Sequence, residues 1–166
     1  MPVAKKTSTA KKTATSKTAA KKTTTAKETT KTAAKTTTKT VTELSVNGNK
    51  KIATLQKEFN KRFPYLRLGL YYSYMRKEPV KTQLPGDKTL ASVRRADSGG
   101  DISISGNKKI KSVEKEFDTV FGLYAQVCYT DVTGHRYYTS GSQDEKTLSA
   151  FNAECEKNGC KKGEYR

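Results

Sequence analysis

The feature that most constrains the fold of this chain is a similarity of the sequence to itself at a spacing of 58 residues. Residues 44–52 align with residues 102–110, and both stretches contain the run Gly-Asn-Lys-Lys-Ile. Two shorter matches keep the same spacing, Lys57–Phe59 with Lys115–Phe117 and Asp87–Leu90 with Glu145–Leu148. A fixed period of this length indicates an internal repeat. The sequence therefore predicts two related parts, segment one over residues 43–101 and segment two over residues 102–166.

Each segment is predicted to fold in the order β-α-β-β-α. Apolar and polar residues alternate in its first strand, as in a half-buried strand. Apolar residues then return at helical spacing, at Ile52, Leu55, Phe59 and Phe63 in segment one and at Ile110, Val113, Phe117 and Phe121 in segment two. A unit of about 58 residues is marginally stable alone. We therefore expect one α+β domain in which the two segments pack together with pseudo-symmetry.

Cap and turn residues predict where the helices begin and end. Asn49 and Asn107 precede the first helix of each segment and are predicted to be its N-cap. Ser142-Gln-Asp-Glu145 has the spacing of a capping box before the last helix. The residues expected to end helices are Pro64, Gly122 and the pair Asn158-Gly159.

The second strand of each segment requires a choice of register. A strict spacing of 58 would align the apolar face of residues 66–70 with polar residues of segment two. One extra residue after Phe63 instead aligns Leu66, Leu68 and Leu70 with Leu123, Ala125 and Val127. Because a slip of one residue turns every side chain to the other face, we predict the second alignment. A third strand is predicted at Arg136–Tyr138, whereas the longer, proline-containing loop of segment one establishes none.

Residues 1–42, named the tail here, differ sharply in charge from the rest of the chain. The tail has eleven lysines, no arginine and one acidic residue, Glu28, a net charge of +10, whereas residues 43–166 have 22 basic and 15 acidic residues, a net charge of +7. With almost no apolar surface and sixteen threonines, the tail is predicted to be disordered in free solution. This charge asymmetry predicts a polyanionic partner, nucleic acid above all.

The tail contains short runs of alanine, lysine and threonine at Ala4–Thr7, Ala10–Ala14, Ala20–Thr23 and Ala33–Lys35. In these runs it resembles the lysine-rich tails of linker histones and of bacterial histone-like proteins. The resemblance covers residues 1–42 alone and departs from the pattern in its many threonines and its single proline, Pro2. It implies sequence-independent DNA binding through phosphate contacts. The tail residues expected to make those contacts are Lys5, Lys6, Lys11, Lys12, Lys17, Lys21, Lys22, Lys27, Lys31, Lys35 and Lys39.

The repeated Gly-Asn-Lys-Lys run places two lysines beside a predicted helix N-terminus in each segment, Lys50-Lys51 and Lys108-Lys109. The positive end of a helix dipole disfavours lysine, whereas free N–H groups at that end can bind phosphate. These four lysines are therefore predicted phosphate contacts. The alternative is that Gly-Asn serves as turn chemistry with solvated lysines beside it.

Tyrosines and basic residues are mixed in two runs, residues 71–77 and residues 135–138. Surfaces that bind single strands combine aromatic rings with basic groups in this way. Tyrosines on strands also cover sheet faces without any ligand, and both interpretations stay open.

Motifs for catalysis or cofactor binding are not present in the sequence, so we predict neither an enzyme nor a cofactor. Cys128, His135, Cys155 and Cys160 could supply a Cys3His zinc site, but their spacing is not that of a usual zinc knuckle. An odd number of cysteines without paired spacing favours a reducing compartment. The sequence shows no secretory segment and no apolar stretch of about 20 residues. We therefore expect a cytoplasmic protein, associated with the nucleoid if it is bacterial.

The function predicted from these features is non-enzymatic, sequence-independent binding of nucleic acid, DNA rather than RNA. The tail supplies the affinity, and the duplicated domain adds contacts or recruits a protein partner. Segment one has a net charge of +6 and segment two of +1, so segment one is expected to face the nucleic acid. The alternative is a protein-interaction module whose basic tail serves solubility or attachment to any anionic surface.

Overall fold

The computed structural model describes residues 43–97 and 99–163. The predicted disorder of the tail and the eleven tail lysines therefore lie outside the described residues. In chain order the elements are β1 (Leu44–Val46), α1 (Ile52–Arg62), β2 (Leu66–Tyr72), α2 (Leu90–Val93), β3 (Ile102–Ile104), α3 (Ile110–Phe121), β4 (Leu123–Thr130), β5 (Arg136–Tyr138) and α4 (Leu148–Lys157), with 3-10 turns at Ser73–Lys77 and Gly141–Gln143. This order confirms a mixed α+β fold.

Two small antiparallel sheets organise these elements. One pairs β1 with β3, and the other has the order β2-β4-β5. In the first sheet Ser45 lies opposite Ser103, and in the second Gly69 lies opposite Gln126. In segment two, β5 forms the predicted hairpin with β4, whereas segment one continues from β2 into the 3-10 turn at Ser73–Lys77.

The core forms where the apolar faces of α1 and α3 pack against β2 and β4. All eight apolar residues that the sequence places at helical spacing are buried. The inward residues of the two central strands are also buried, namely Leu66, Leu68, Leu70, Leu123, Ala125 and Val127. This burial confirms the predicted inward face of both strands. The opposite face of the same sheet consequently carries the alternate, mostly polar side chains.

The predicted N-caps of α1 and α3 are wrong. The caps are Lys51 and Lys109, both in extended backbone, and neither makes a side-chain cap bond. Backbone carbonyls of a loop that is distant in sequence accept hydrogen bonds from the first N–H groups of each helix instead. The Ile52 N–H donates to the Lys88 carbonyl at 2.9 Å, and the Ile110 N–H donates to the Lys146 carbonyl at 3.0 Å. Because these partners are 36 residues away along the chain, local sequence could not reveal them.

The predicted capping box at Ser142 is also wrong. The capping box of this region forms two residues earlier, between Ser140 and Gln143, at the 3-10 turn. Thr147 caps α4 by accepting a hydrogen bond from the Ala150 N–H at 3.2 Å. The predicted end of α4 is confirmed, since Asn158 is its C-cap.

Gly122 follows α3 in the left-handed region, with a φ of 63°. A Cβ at this position would lie 2.6 Å from the Ala96 backbone nitrogen. We expect Gly122→Ala to lower the free energy of unfolding by about 2 kcal/mol, from left-handed strain together with this backbone clash. Urea unfolding measures the loss.

Gly141→Ala is the matched control for that substitution. Gly141 also has a positive φ, of 57°, but among the described residues no heavy atom lies within 4 Å of a Cβ built there. Its loss should be limited to about 1 kcal/mol of backbone strain. Equal losses in the two variants would show that the clash at Ala96 does not contribute.

Candidate nucleic-acid interface

The lysines predicted to bind phosphate at the two helix N-termini lie where the sequence placed them, but the helix N–H groups beside them are occupied. Besides the bonds of Ile52 and Ile110, the Ala53 N–H donates to the Gly86 carbonyl at 2.9 Å and the Lys111 N–H donates to the Asp144 carbonyl at 3.1 Å. A phosphate at either helix start would therefore meet lysine side chains without these N–H donors.

Three of the four lysines are paired with carboxylates of the same chain. Lys50 Nζ lies 2.6 Å from Glu58, Lys108 Nζ lies 2.6 Å from Glu116, and Lys109 Nζ lies 3.0 Å from Glu145. These ion pairs offset the unfavourable interaction between the lysine charges and the positive end of each helix dipole. Of these pairs only Lys109–Glu145 is exposed on both sides, and since exposed ion pairs are individually weak, the Lys109 ammonium can exchange its carboxylate for a phosphate, whereas the Lys50 and Lys108 pairs are partly buried.

A second basic and aromatic surface lies on the outer face of the β2-β4-β5 sheet. Strand alternation places eight side chains on this face, named the tyrosine face: Arg67, Tyr71, Tyr124, Gln126, Cys128, Thr130, Arg136 and Tyr138. Arg136 is exposed and Tyr138 is 41% exposed, whereas Tyr71 and Cys128 are buried. Arg136 and the Tyr138 ring are therefore the most accessible groups of this face, and Arg67, Tyr124 and Gln126 are half-buried.

Tyr71 fixes the centre of the tyrosine face. Its ring occupies the space that a side chain at Gly69 would fill, since a Cβ there would lie 2.7 Å from the Tyr71 hydroxyl. That hydroxyl lies 3.0 Å from the Tyr138 hydroxyl. Burial, and then the hydrogen bond with Tyr138, raises the pKa of Tyr71. Tyr71 therefore stays protonated and holds Tyr138 in place.

Cys128 lies between the two arginines of this face. Burial raises the pKa of the Cys128 thiol to about 11, although the charges of Arg136 and Arg67 oppose the shift. A thiol with this pKa is protonated at neutral pH and is a poor nucleophile. The arginines therefore do not activate Cys128.

Further aromatic groups continue from this sheet into the 3-10 turn at Ser73–Lys77. The rings of Tyr72 and Tyr74 are stacked with centroids 5.6 Å apart, and the Arg95 guanidinium lies 4.9 Å from the Tyr72 ring. Tyr74 is 62% exposed. The accessible Tyr74 ring therefore stacks on Tyr72, which in turn contacts Arg95.

A cleft of about 300 Å³ opens between this turn, β4 and α3. Its lining includes Arg76, Lys111, Glu114, Lys115, Asp118 and Tyr124. The Arg76 guanidinium lies 3.0 Å from Asp118 and 5.2 Å from the centre of the Tyr124 ring. Two elements thus bring three basic groups to one aromatic ring.

Glu114 has the most strongly altered acidity in this cleft. Burial raises the pKa of its carboxyl to about 7, and the charge of Asp144 adds to the shift. The Val127 N–H and Gln126 Nε2 donate to Glu114 Oε1 at 2.9 and 3.3 Å and partly oppose it. The charge of the cleft therefore changes near neutral pH.

Comparison of the chain with protein-family models, with curated proteins and with solved structures finds no match.

The alternative zinc site is not formed. Within residues 43–97 and 99–163, no group of three or more His, Cys, Asp or Glu side chains is arranged to hold a metal ion. Cys128 lies in β4, and Cys155 lies in α4, where its side chain contacts Cys160. Within the same ranges, no helix has the length and apolar character needed to span a bilayer.

The cleft is the feature that sequence reasoning missed. Its signal was present in the repeat alignment, where Gln56 and Asn60 correspond to Glu114 and Asp118 at the spacing of 58. Two amides of segment one thus become two carboxylates in segment two. Only the structure shows that Glu114 and Asp118 lie beside the edge of β4, because their placement depends on how α3 packs on the sheet.

Proposed function

We propose that this chain is a non-enzymatic protein that binds nucleic acid without sequence preference, DNA rather than RNA. The lysines of the tail supply most of the affinity, and the folded domain adds contacts to single strands. This activity belongs in the cytoplasm, at the nucleoid if the protein is bacterial.

The observation that carries this proposal is the charge of the tail, where eleven lysines accompany a single acidic residue. Each lysine that neutralises a phosphate releases condensed counterions, which favours binding at low salt. Lysine is a point charge on a flexible stem and does not read base edges as Arg, Asn and Gln do. The tail is therefore expected to bind nucleic acid without sequence preference.

The folded domain supports the proposal through its accessible rings. Tyr138 is 41% exposed beside Arg136, and Tyr74 is 62% exposed beside Tyr72. Bases of a single strand stack on such rings, whereas the bases of a duplex are already stacked. The domain should therefore favour single strands, while the tail binds both forms.

We also infer that the two segments are a duplication packed about a pseudo-twofold axis. The pairing of β1 with β3 is centred on Ser45 and Ser103, 58 residues apart, and that of β2 with β4 on Gly69 and Gln126, 57 apart. Both centres agree with the repeat alignment, including the extra residue after Phe63. An experimental structure in which the segments superpose only in another register would contradict this inference.

Binding of labelled random-sequence duplex and single strand, measured by fluorescence anisotropy at about 50 mM salt, tests the proposed function. Unlabelled competitors of unrelated sequence should displace the probe equally well. A clear preference among duplex sequences would contradict sequence-independent binding. If neither probe binds, the proposed function is wrong.

Substitution of one exposed tyrosine tests the contribution of the folded domain. Tyr138→Leu should weaken single-strand binding about tenfold, because the loss of one stacked base costs about 1–3 kcal/mol. Duplex binding should change little. Tyr137→Leu is the matched control, since Tyr137 is similarly exposed but lies on the other face of β5, beside Tyr129. Equal effects of the two substitutions on single-strand affinity would show that the tyrosine face does not contact the nucleic acid.

A protein-interaction module is the second candidate function, and β5 favours it. This strand is the last of its sheet and all three of its residues are exposed. An extended peptide could pair with such an edge. The ultraviolet absorbance ratio of the purified protein separates the candidates, because co-purified nucleic acid raises the ratio and a bound protein does not.

A further inference from the structure

The cleft between α3 and β4 lies where two side chains of α3 differ from their counterparts on α1. In segment one, Gln56 Nε2 donates to the Leu68 carbonyl at 3.0 Å and Asn60 Nδ2 donates to the Leu66 carbonyl at 3.0 Å. These amides cover the outer edge of β2. The carboxylates 58 residues later have no proton to donate in the same way when they are ionised.

Glu114 and Asp118 turn to other partners instead. Glu114 accepts from the Val127 N–H at 2.9 Å, and Asp118 pairs with Arg76 at 3.0 Å. The pairing of β5 with β4 ends where Tyr138 lies opposite Cys128, and the Thr139 N–H then donates to the Val127 carbonyl at 2.9 Å, which leaves the Val127 N–H to Glu114. The result is a space of about 300 Å³ beside Tyr124, at the lower end of the range for small-molecule sites.

The charges around this space favour an anion when Glu114 is protonated. Arg76, Lys111 and Lys115 bring three positive charges from two elements. Asp118 cancels one of them and holds the Arg76 guanidinium near the Tyr124 ring. With Glu114 ionised the five charged groups that line the cleft have a net charge of +1, and with Glu114 protonated the net charge is +2; Asp144, which interacts with Glu114 from outside the lining, lowers each value by one. Lys111 also pairs with Glu145 at the surface, which leaves Lys115 as the lysine of the cleft without an ion pair among the described residues.

We propose that this cleft binds one nucleotide unit of a single strand, with the backbone phosphate between Arg76 and Lys115 and the base against Tyr124. The proposal rests on the proposed function and names the part of the folded domain that holds the strand. The ligand must contain a phosphodiester next to a planar base, because the cleft combines two basic side chains with an aromatic ring.

The state of Glu114 regulates this site. The groups that face Glu114 are Lys111, Lys115 and Asp118 on its own helix, Tyr124 on β4, Arg76 on the 3-10 turn, and Asp144 beyond β5. Protonation removes a negative charge from the cleft, so phosphodiester binding should tighten as the pH falls from about 8 to about 6, by about threefold or more at the dielectric of a partly exposed site.

Titration of the full chain with a thymidine dinucleotide, followed through backbone amide shifts in NMR spectra, tests this proposal. Its single phosphodiester does not titrate near neutral pH, unlike a monoester with a pKa of about 6. Shifts are expected at Lys111–Asp118 and at Tyr124-Ala125, with tighter binding at low pH. Lysines of the tail keep their charge throughout this range, so contacts made by the tail would not follow pH.

Three variants complete the test. Glu114→Gln should bind the dinucleotide equally at both pH values and as tightly as the wild type at low pH. Lys115→Gln should weaken binding about threefold. Lys57→Gln is the matched control, because Lys57 is the exposed lysine 58 residues earlier on α1, and it should change nothing.

The outcomes separate this proposal from the function on which it rests. If long strands bind while the cleft amides do not shift, the cleft proposal is wrong and tail binding stands. If neither long strands nor the dinucleotide bind, both are wrong. Dimethyl phosphate, which has no base, should bind more weakly than the dinucleotide, and equal binding would overturn the base contact with Tyr124.

Discussion

Between about pH 5 and about pH 9, we expect the chain to lose about 3 kcal/mol of unfolding free energy through Glu114. Burial beside β4 raises the pKa of this carboxyl from 4.5 to about 7 in the folded state. The folded state therefore holds the proton more tightly than the unfolded state. This contribution is fully present below the unfolded pKa and is lost as the pH rises through 7.

Glu114→Gln isolates this contribution. Its amide remains neutral and can also donate to the edge of β4, as Gln56 Nε2 does to Leu68 on β2. The difference in unfolding free energy between the variant and the wild type, from urea unfolding at each pH, should be small at low pH and grow to about 3 kcal/mol at high pH. A difference that does not vary with pH would contradict the assignment.

Gln56→Glu is the reciprocal control at the equivalent position of segment one. Gln56 is 7% exposed, and its amide donates to a strand carbonyl. An ionised carboxylate there would face that carbonyl without a proton, which costs about 1–3 kcal/mol or more. The variant should therefore lose stability with rising pH more steeply than the wild type does.

Replacement of the eleven tail lysines by glutamine is expected to weaken nucleic-acid binding about a thousandfold or more at low salt. The physical reason is the loss of counterion release at every phosphate that a lysine neutralises. Anisotropy with the labelled duplex measures the change. The variant should keep the thermal unfolding of the wild type, because it changes none of the core residues that the structure describes within 43–163.

A tail with eleven of its sixteen threonines changed to glutamine is the matched control. It has as many substitutions as the neutral tail but retains every lysine. Its affinity should stay within about twofold of the wild type if charge alone decides binding. Comparable losses in both variants would show that something other than charge in the tail contacts the nucleic acid.

The fold was predictable where periodic apolar residues decide it. Ile52 to Phe63 and Ile110 to Phe121 lie on one helical face each, and burial of a stripe requires that spacing. The register of β4 followed from the same physics, since only one alignment buries Leu123, Ala125 and Val127 together. Both signals are local, and the sequence contains them in full.

The ends of the helices were harder to predict because their partners are distant. Asn49 and Asn107 have the right chemistry for a cap, but Lys88 and Lys146 carbonyls satisfy the first N–H groups of α1 and α3. A cap side chain is unnecessary once another segment of backbone supplies the acceptor. The position of that backbone acceptor depends on tertiary packing, which no local sequence pattern encodes.

The candidate interface was predictable in composition but not in geometry. The run at residues 135–138 mixes tyrosine with basic residues, yet only strand alternation places Tyr138 on the tyrosine face and Tyr137 on the other. The cleft depends on a further step, since Glu114 and Lys115 meet Arg76 across two elements that are distant in sequence. Charge and aromaticity can be read from the chain, whereas their convergence is a property of the fold.

The central claim, that the tail drives sequence-independent binding, is tested most directly by the salt dependence of affinity. Residues 1–166 and residues 43–166 would be compared on a random duplex from about 50 to about 300 mM salt, after circular dichroism has shown that the shorter chain is folded. The account predicts a steep negative slope of log affinity against log salt for the full chain, about 0.9 per phosphate contact. The shorter chain should bind weakly with a slope near that of one or two contacts. Equal slopes for the two chains would contradict the claim and assign the binding to the folded domain.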